Sequence, residues 1–277
     1  MSKVYRLHYR AQFKEETKVS DAQEAIVTCV ENVRKLQAEG KILTAALYYA
    51  DKMLFLYYEA MGEALSVVEP VAMQPALQKA WEYGGIRVSQ IGGQETDFTE
   101  ERKDAVVESG EDVQLTVVHP IDFLAPLIPY LCTWPGQKGE RFWVHMYHIY
   151  YHSVPKSTED WRRAAIPEMR RGRIAFLRDD KLFSYTYFHK AIVDEGLLTG
   201  DRYQSIALHE NILFSYFEEP KTFTNIKNNL QEKSKVIEDW MAVDPESHFI
   251  HMPEGEGENF MFLPALFALG VEDLVNL

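Results

Sequence analysis

The chain has 277 residues, of which 46% are hydrophobic and 13% aromatic, so it can bury a large core as one domain or two. Its formal net charge of −13 disfavours nucleic acid and anionic membranes as partners, because both repel a negatively charged surface. The two cysteines, Cys29 and Cys132, lie in no metal-binding or disulfide pattern. No run is long enough to span a membrane and no apolar leader opens the sequence, so we expect a soluble, cytoplasmic protein.

The first half of the chain predicts the element order β-α-β-β-α-β. The predicted elements are a strand at 4–13, a helix at 21–39, a hairpin of strands at 42–49 and 53–61, a helix at 70–83 and a strand at 113–118. Gly40 stands where a glycine often ends a helix. This is the order of a ferredoxin-like unit, which we assign to residues 1–132.

A connecting segment at 133–172 separates this unit from a second one at 173–277. Within the segment, composition predicts a strand at 142–154, and Pro167 limits any helix after Ser157. The second unit repeats the order of the first: a strand at 173–178, a helix at 181–196, a hairpin at 203–220, an amphipathic helix at 223–241 and a closing strand at 259–269.

Two similar heptapeptides occupy the same place in the two predicted units. MLFLYYE at 53–59 and ILFSYFE at 212–218 are each the second strand of a hairpin that follows a helix. Period two places Glu59 on the same strand face as Tyr57, and Glu218 on the same face as Tyr216. We therefore predict an α+β fold in which two ferredoxin-like units pack sheet to sheet as a fused dimeric α/β-barrel.

Histidines are the first candidates for chemistry. His145, His148 and His152 form HxxHxxxH, which would bind zinc on a helix. Their aromatic and β-branched neighbours favour a strand instead, on which His145 points away from the other two, so no metal is expected. His248 and His251 lie in an apparent loop, and a ligand role for them is less favoured than a structural one.

The predicted helix at 181–196 carries Tyr185 and His189 four residues apart, which places them on one helix face. Such a pair can donate and accept protons near neutral pH. An aromatic packing face with a histidine at its border explains the same pattern without chemistry. Both interpretations stay open on these residues alone.

Residues 173–219, followed by Trp240 and by the Phe-rich stretch 260–264, resemble the L-rhamnose mutarotase family. The shared features, in order, are a strand containing Ala-Phe, a helix with Tyr-x-x-x-His, a hairpin ending in Glu, a helix with Trp and a closing strand near Leu-Pro. The resemblance implies the dimeric α/β-barrel fold and exchange of the anomers of a deoxy sugar, without cofactor or metal.

By position, the resemblance implies acid/base roles for His189 and Tyr185. The substrate-binding residues expected for a sugar are Trp240 and Tyr216, which offer aromatic faces, and Glu218, which accepts hydrogen bonds from hydroxyls. Departures are clear, however. The family has single units that pair as dimers, the first helix here has no histidine, and segment 133–171 has no counterpart.

Several functions therefore stay open. The first is a sugar mutarotase or isomerase with a small sugar as its partner. The second is a non-catalytic carbohydrate-binding or regulatory protein of the same fold. The third is a cofactor-free monooxygenase or a haem-binding barrel protein, in which His145, His148 or His189 would be the axial ligand. Pairing of the fused chain into a homodimer also stays open.

Overall fold

The fold of the protein is described from a computed structural model, which covers residues 2–63, 118–134, 141–151, 153–195, 201–221, 234–255 and 258–271. The predicted helix at 70–83, residues 113–117 of the predicted strand and residues 223–233 of the predicted last helix lie outside these ranges. No helix within the described ranges is long and apolar enough to cross a membrane.

The described chain contains eleven strands and five α-helices. The strands are β1 (Ser2–Gln12), β2 (Ile42–Ala50), β3 (Met53–Glu63), β4 (Val144–His145), β5 (Tyr147–Tyr151), β6 (Met169–Leu177), β7 (Ser205–His209), β8 (Ile212–Glu219), β9 (Phe249–Ile250), β10 (Met261–Leu263) and β11 (Ala265–Ala268). The helices are α1 (Gln23–Ala38), α2 (Pro120–Leu124), α3 (Thr158–Trp161), α4 (Leu182–Glu195) and α5 (Lys235–Ala242).

These strands form two antiparallel sheets. The first sheet has the order β11-β2-β3-β1-β4, and the second has the order β10-β6-β8-β7-β5. The short strand β9 pairs with the last two residues of β6. In both sheets the second strand of the hairpin lies between its partner and the strand that precedes the helix. The structure is thus a mixed α/β protein with antiparallel sheets, and both heptapeptides occupy the predicted strand, β3 or β8.

The two sheets exchange strands at two points. The strand predicted at 142–154 is wrong as one element, because β4 pairs with β1 in the first sheet and β5 pairs with β7 in the second. The closing strand predicted at 259–269 is likewise two strands, since β10 pairs with β6 and β11 pairs with β2. Met146 and Pro264 each lie between the two strands of such a pair, so the chain changes sheets there.

Local sequence explains the helices and hairpins. In α1 the buried residues Ile26, Cys29, Val30 and Val33 follow helical spacing, and Gly40 beyond the helix has φ +71°, as predicted from its position. The β2–β3 turn holds Asp51 at φ +51°, which Asp tolerates better than most residues. The helix predicted after Ser157 ends at Trp161, well before Pro167.

The buried residues form three layers. One core lies between the first sheet and helices α1 and α2, and another lies between the second sheet and helices α4 and α5. The third lies between the sheets and combines Phe55 and Tyr57 of β3 with Phe214 and Tyr216 of β8. The inner faces of the two sheets therefore pack on each other, and the helices cover the outer faces.

Gly172 sets the closest approach between the sheets. A Cβ atom built on this β6 residue would lie 2.6–2.8 Å from three ring atoms of Tyr48 on β2. The Tyr48 ring is buried, with 1% of its surface exposed, so it cannot move aside without opening the inner core. Only glycine lets this ring lie directly on the strand.

We expect Gly172→Ala to lower the free energy of unfolding by about 1–3 kcal/mol, because the added methyl group overpacks the contact with Tyr48. Urea unfolding followed by tyrosine fluorescence measures the change. Gly255→Ala is the matched control, because a Cβ at Gly255 meets nothing within 4 Å. Equal stabilities for the two variants would contradict this account.

Candidate functional site

The structure divides the predicted site residues between two faces of the second sheet. Tyr185 and His189 on α4 and Trp240 on α5 lie together in the outer core or at its edge. Tyr216 and Glu218 on β8 lie at the inner face, where they contact the first sheet and Arg163. Successive β8 side chains alternate between the faces, so these two residues cannot share a pocket with His189. The five predicted residues therefore do not form one site.

The predicted acid/base pair is tightly stacked. The rings of Tyr185 and His189 have centroids 3.8 Å apart and planes 19° apart, and the edge of Trp240 approaches His189 at 5.3 Å. The backbone carbonyl of Tyr185 accepts a hydrogen bond from His189 Nδ1 at 2.9 Å. This bond places the proton of the neutral imidazole on Nδ1 and leaves Nε2 with its lone pair.

Burial controls the protonation of this pair. It lowers the pKa of His189 to about 4, although the hydrogen bond to Tyr185 opposes the shift, and it raises the pKa of the Tyr185 hydroxyl. At neutral pH the imidazole is therefore an uncharged base and the phenol keeps its proton. These are the states that a proton acceptor and a proton donor require.

His248 belongs to the same cluster, which the sequence interpretation missed. It is fully buried and packs against Trp240 with ring centroids 4.7 Å apart. The Asp244 carbonyl accepts from its Nδ1 at 3.1 Å, and Ser184 donates to its Nε2 at 2.8 Å. The spacing of eight residues from Trp240 was the available signal. Because His248 was assigned to a loop, however, the direction of its side chain could not be predicted.

A second cluster lies between the sheets, where the two heptapeptides meet. The rings of Tyr57 and Tyr216 stack with centroids 3.7 Å apart and planes 14° apart. Each hydroxyl donates to the glutamate two residues further along its own strand: Tyr57 to Glu59 at 2.5 Å, and Tyr216 to Glu218 at 2.7 Å. The predicted common face of each Tyr–Glu pair is confirmed.

Arginines neutralise the two glutamates. Arg163, which follows α3, donates from both terminal nitrogens to Glu59 and from Nε and Nη2 to Glu218 at 3.2 and 2.8 Å. Arg6 on β1 donates to the Tyr57 hydroxyl at 3.0 Å, and Arg170 on β6 donates to the Tyr216 hydroxyl at the same distance. We call these three arginines, the two tyrosines and the two glutamates the inner network.

Electrostatics keep Glu59 and Arg163 ionised. Burial alone would raise the pKa of Glu59, but Arg163, Arg6 and the hydrogen bond from Tyr57 together outweigh it and hold that pKa below the ordinary value of 4.5. Burial would also lower the pKa of Arg163, and the carboxylates of Glu59 and Glu218 reverse this and raise it. Both glutamates are paired, and the additional cation, Arg6, donates to the Tyr57 hydroxyl and to the carbonyls of Ser153 and Tyr203, so the network indicates a role in joining the sheets.

Two other histidines lie at the inner face. His148 Nε2 and His8 Nδ1 are 2.6 Å apart, and His8 Nε2 lies 3.2 Å from the Ser205 hydroxyl. Burial lowers the pKa of His148 to about 3, so this chain of hydrogen bonds is uncharged. His145 belongs instead to the first sheet, where its ring meets Tyr9 at 5.2 Å.

The HxxHxxxH pattern therefore does not gather its residues at one point, because β4 and β5 belong to different sheets. His152 lies outside the described residues. Within the described ranges, no group of three or more His, Cys, Asp or Glu side chains could hold a metal ion.

An apolar cleft of about 400 Å³ opens at one edge of the space between the sheets. It extends from the β2–β3 turn to β6 and β10. Most of its lining is apolar, and includes Met53, Ile174, Phe176, Met252, Met261, Phe262 and Leu263. Asp51, Glu254 and Tyr49 supply its polar groups. The cleft is separate from both the Tyr185–His189 pair and the inner network.

We expect Arg163→Gln to lower the free energy of unfolding by about 3–5 kcal/mol near neutral pH, because it removes the guanidinium that pairs with the buried carboxylate of Glu59, whereas Glu218 keeps its ion pair with Arg170. In the native protein the pKa of Glu59 lies below 4.5, so its ionised form contributes stability above that pH, and the contribution is lost as pH falls through the lowered pKa. Without Arg163, burial raises this pKa, so Glu59 in the variant binds a proton at a higher pH than in the native protein. The variant's deficit in the free energy of unfolding therefore shrinks as the pH is lowered.

Urea unfolding at about pH 5 and about pH 7.5 measures both effects. Arg178→Gln is the control, because it removes the same charge from an exposed pair with Asp180 at 3.3 Å. A deficit that is equal at the two pH values would show that the glutamates do not couple to Arg163.

Comparison with known proteins adds little. No protein-family model matches the chain, and no curated protein sequence does. A protein provisionally named a monooxygenase from Lactobacillus acidophilus NCFM is 8% identical with a TM-score of 0.36, over 96% of this chain and 95% of its own. A second, from Fusobacterium nucleatum, is 11% identical with a TM-score of 0.35, over 96% of this chain and 94% of its own. At these values, neither likeness supports an assignment of activity.

Proposed function

We propose that the protein binds a small, largely apolar molecule in the cleft between the two sheets. The observation that carries this proposal is the volume of about 400 Å³ with its predominantly apolar lining. Ligand sites are commonly apolar concavities of about 300–1,000 Å³ with a few polar groups that orient the ligand. Here Asp51, Glu254 and Tyr49 are those groups.

The lining favours a ligand of adaptable shape. Met53, Met252 and Met261 contribute three flexible thioether side chains, which fit irregular surfaces and make favourable contacts with aromatic rings. The two carboxylates of the lining would accept hydrogen bonds from a hydroxyl or amine on the ligand and would repel an anion. We therefore infer a neutral or cationic ligand with an aromatic or aliphatic body.

The fold that presents this cleft is, in our proposal, two ferredoxin-like units fused as a dimeric α/β-barrel. The shared strand orders, the stacked tyrosines of the two heptapeptides and the exchange of strands at Met146 and Pro264 support it. In such a fusion, the inner faces of the two sheets cover each other within one chain. The cleft lies at the edge where they do not.

We expect indole, 2-naphthol and toluene to shift the NMR methyl signals of Met53, Met252 and Met261 and to leave that of Met241 unchanged. Met252→Trp should abolish the shifts of the Met53 and Met261 signals, because the larger ring fills the cleft. The matched control is Met241→Trp on α5, where the methionine is 62% exposed and away from the cleft. If no probe moves the three methyl signals, the binding proposal fails.

A second candidate function is acid/base catalysis on a sugar at Tyr185 and His189. The stacked pair, with a lone pair on His189 Nε2 and a protonated phenol on Tyr185, favours it. Trp240 lies beside the pair and could meet the apolar face of a sugar ring. Tyr216 and Glu218 take no part in this version, because they lie at the other face of the sheet.

We expect the wild-type protein to accelerate anomer exchange of L-rhamnose or a related deoxy sugar in exchange NMR, with a rate that falls as His189 becomes protonated toward about pH 4. His189→Asn should reduce the rate by about 100-fold or more, because it removes the base. His251→Asn, at a half-exposed histidine 3.3 Å from Glu246, should change nothing. Equal exchange rates with and without the wild-type protein, for every sugar tested, would reject this candidate.

A further inference from the structure

We propose that Arg173 and Lys221 form a binding site for a small oxyanion, a phosphate or a carboxylate, on the outer face of the second sheet. This site is independent of the cleft between the sheets, since Arg173 points to the opposite face of β6 from Ile174, a residue of the inner core. Its components are the two cations, the Ser215 hydroxyl and the rings of Phe217 and Phe260.

Arg173 presents an unused guanidinium edge. Its central carbon lies 4.4 Å from the ring centroid of Phe260 and 5.2 Å from that of Phe217. Its Nε donates a long hydrogen bond of 3.4 Å to Ser215, and within the described residues its two terminal nitrogens make none. A guanidinium held flat by aromatic rings, with both terminal nitrogens free, fits two oxygens of one anion.

Lys221 supplies a second positive charge at the same ring. Its ammonium nitrogen lies 3.8 Å from the centroid of Phe217. Among the described residues, neither Lys221 nor Arg173 has a carboxylate within the 4.0 Å of an ion pair. Glu219, the nearest acid in sequence, is already paired with Arg171 at 3.2 Å. The two cations thus both approach the Phe217 ring, and the acids that act on them do so from beyond ion-pair distance among the described residues: Glu258 on Arg173, and Asp201 and Glu219 on Lys221.

Two neighbouring cations contrast with the net negative charge of the chain as a whole. The chain has a net charge of −13, yet here two cations repel each other in a partly buried position. Burial, and then the nearby Arg173, lower the pKa of Lys221, and burial lowers that of Arg173. Two desolvated like charges cost stability unless an anion joins them, and an oxyanion would receive hydrogen bonds from both.

The site also lies on the same sheet face as the Tyr185–His189 pair. Arg173 acts electrostatically on the Tyr185 hydroxyl and favours its ionised form, against the effect of burial. A ligand with an acidic group at Arg173 would therefore lie on the side of the sheet where α4 packs. The inference itself does not depend on catalysis at that pair.

Isothermal titration of the full chain with inorganic phosphate, sulfate, acetate and benzoate tests the site. We expect at least one of these anions to bind with one-to-one stoichiometry, and Arg173→Gln and Lys221→Gln each to weaken it by about tenfold or more. Stronger binding of phosphate would support a phosphate ester as the natural ligand class, and stronger binding of benzoate would support an aryl carboxylate.

Arg178→Gln is the control, since it removes a charge from the exposed residue that follows β6 and should leave the affinity unchanged. If Arg173→Gln does not fold, Arg173→Lys replaces it in the test. Arg173→Lys should also weaken binding, because it keeps the charge but loses the planar guanidinium. The proposal is overturned if no anion binds below about 20 mM, or if binding persists unchanged in both Lys221→Gln and Arg173→Lys.

Discussion

One guanidinium binds a carboxylate of each sheet. Arg163 bonds Glu59 of the first sheet and Glu218 of the second, while the tyrosines that orient these glutamates stack on each other. Removing buried charges from water is costly, so such a network is stable only when every charge has a partner and a fixed geometry. The network therefore specifies how the sheets meet as well as holding them together. The inner faces then close, and the outer faces remain available for helices and for the candidate sites.

Much of this arrangement follows from the sequence, and some does not. The two heptapeptides correctly place Tyr57 with Glu59 and Tyr216 with Glu218, because a strand has a period of two. Helical spacing likewise places Tyr185 beside His189. Period two does not tell which face of β8 meets the helix, however, and the predicted site mixed residues of opposite faces for that reason. Arg163 lies in an irregular stretch after α3, where no periodicity indicates a partner. The changes of sheet at Met146 and Pro264 depend on pairing across the whole chain, which local composition does not record.

The four regions described above lie in two places, two of them between the sheets and two on the outer face of the second sheet. The inner network and the cleft lie between the sheets, whereas the Tyr185–His189 pair and the Arg173–Lys221 pair lie on the outer face of the second sheet. The two sides also meet at the sheet edge, where Phe262 of the cleft lining contacts Phe217 of the outer site with ring centroids 6.2 Å apart. The cleft carries carboxylates and the outer site carries cations, so the two would select ligands of opposite charge. Ligands of opposite charge therefore distinguish binding at the cleft from binding at the outer site.

The contact between Tyr48 and Gly172 shows what a single chain permits. Arg6 and Arg170 are opposite Glu59 and Glu218 in their sheets, and in that register the position matching Gly172 holds His8, while the one matching Tyr48 holds Ala207. In a pair of identical subunits each residue occurs twice, so one choice has to fit both sides. Here a large ring meets a glycine on one side, and a histidine can take its place beside Ser205 on the other. Fusion of the two units would thus free each side to change its residues without altering its counterpart.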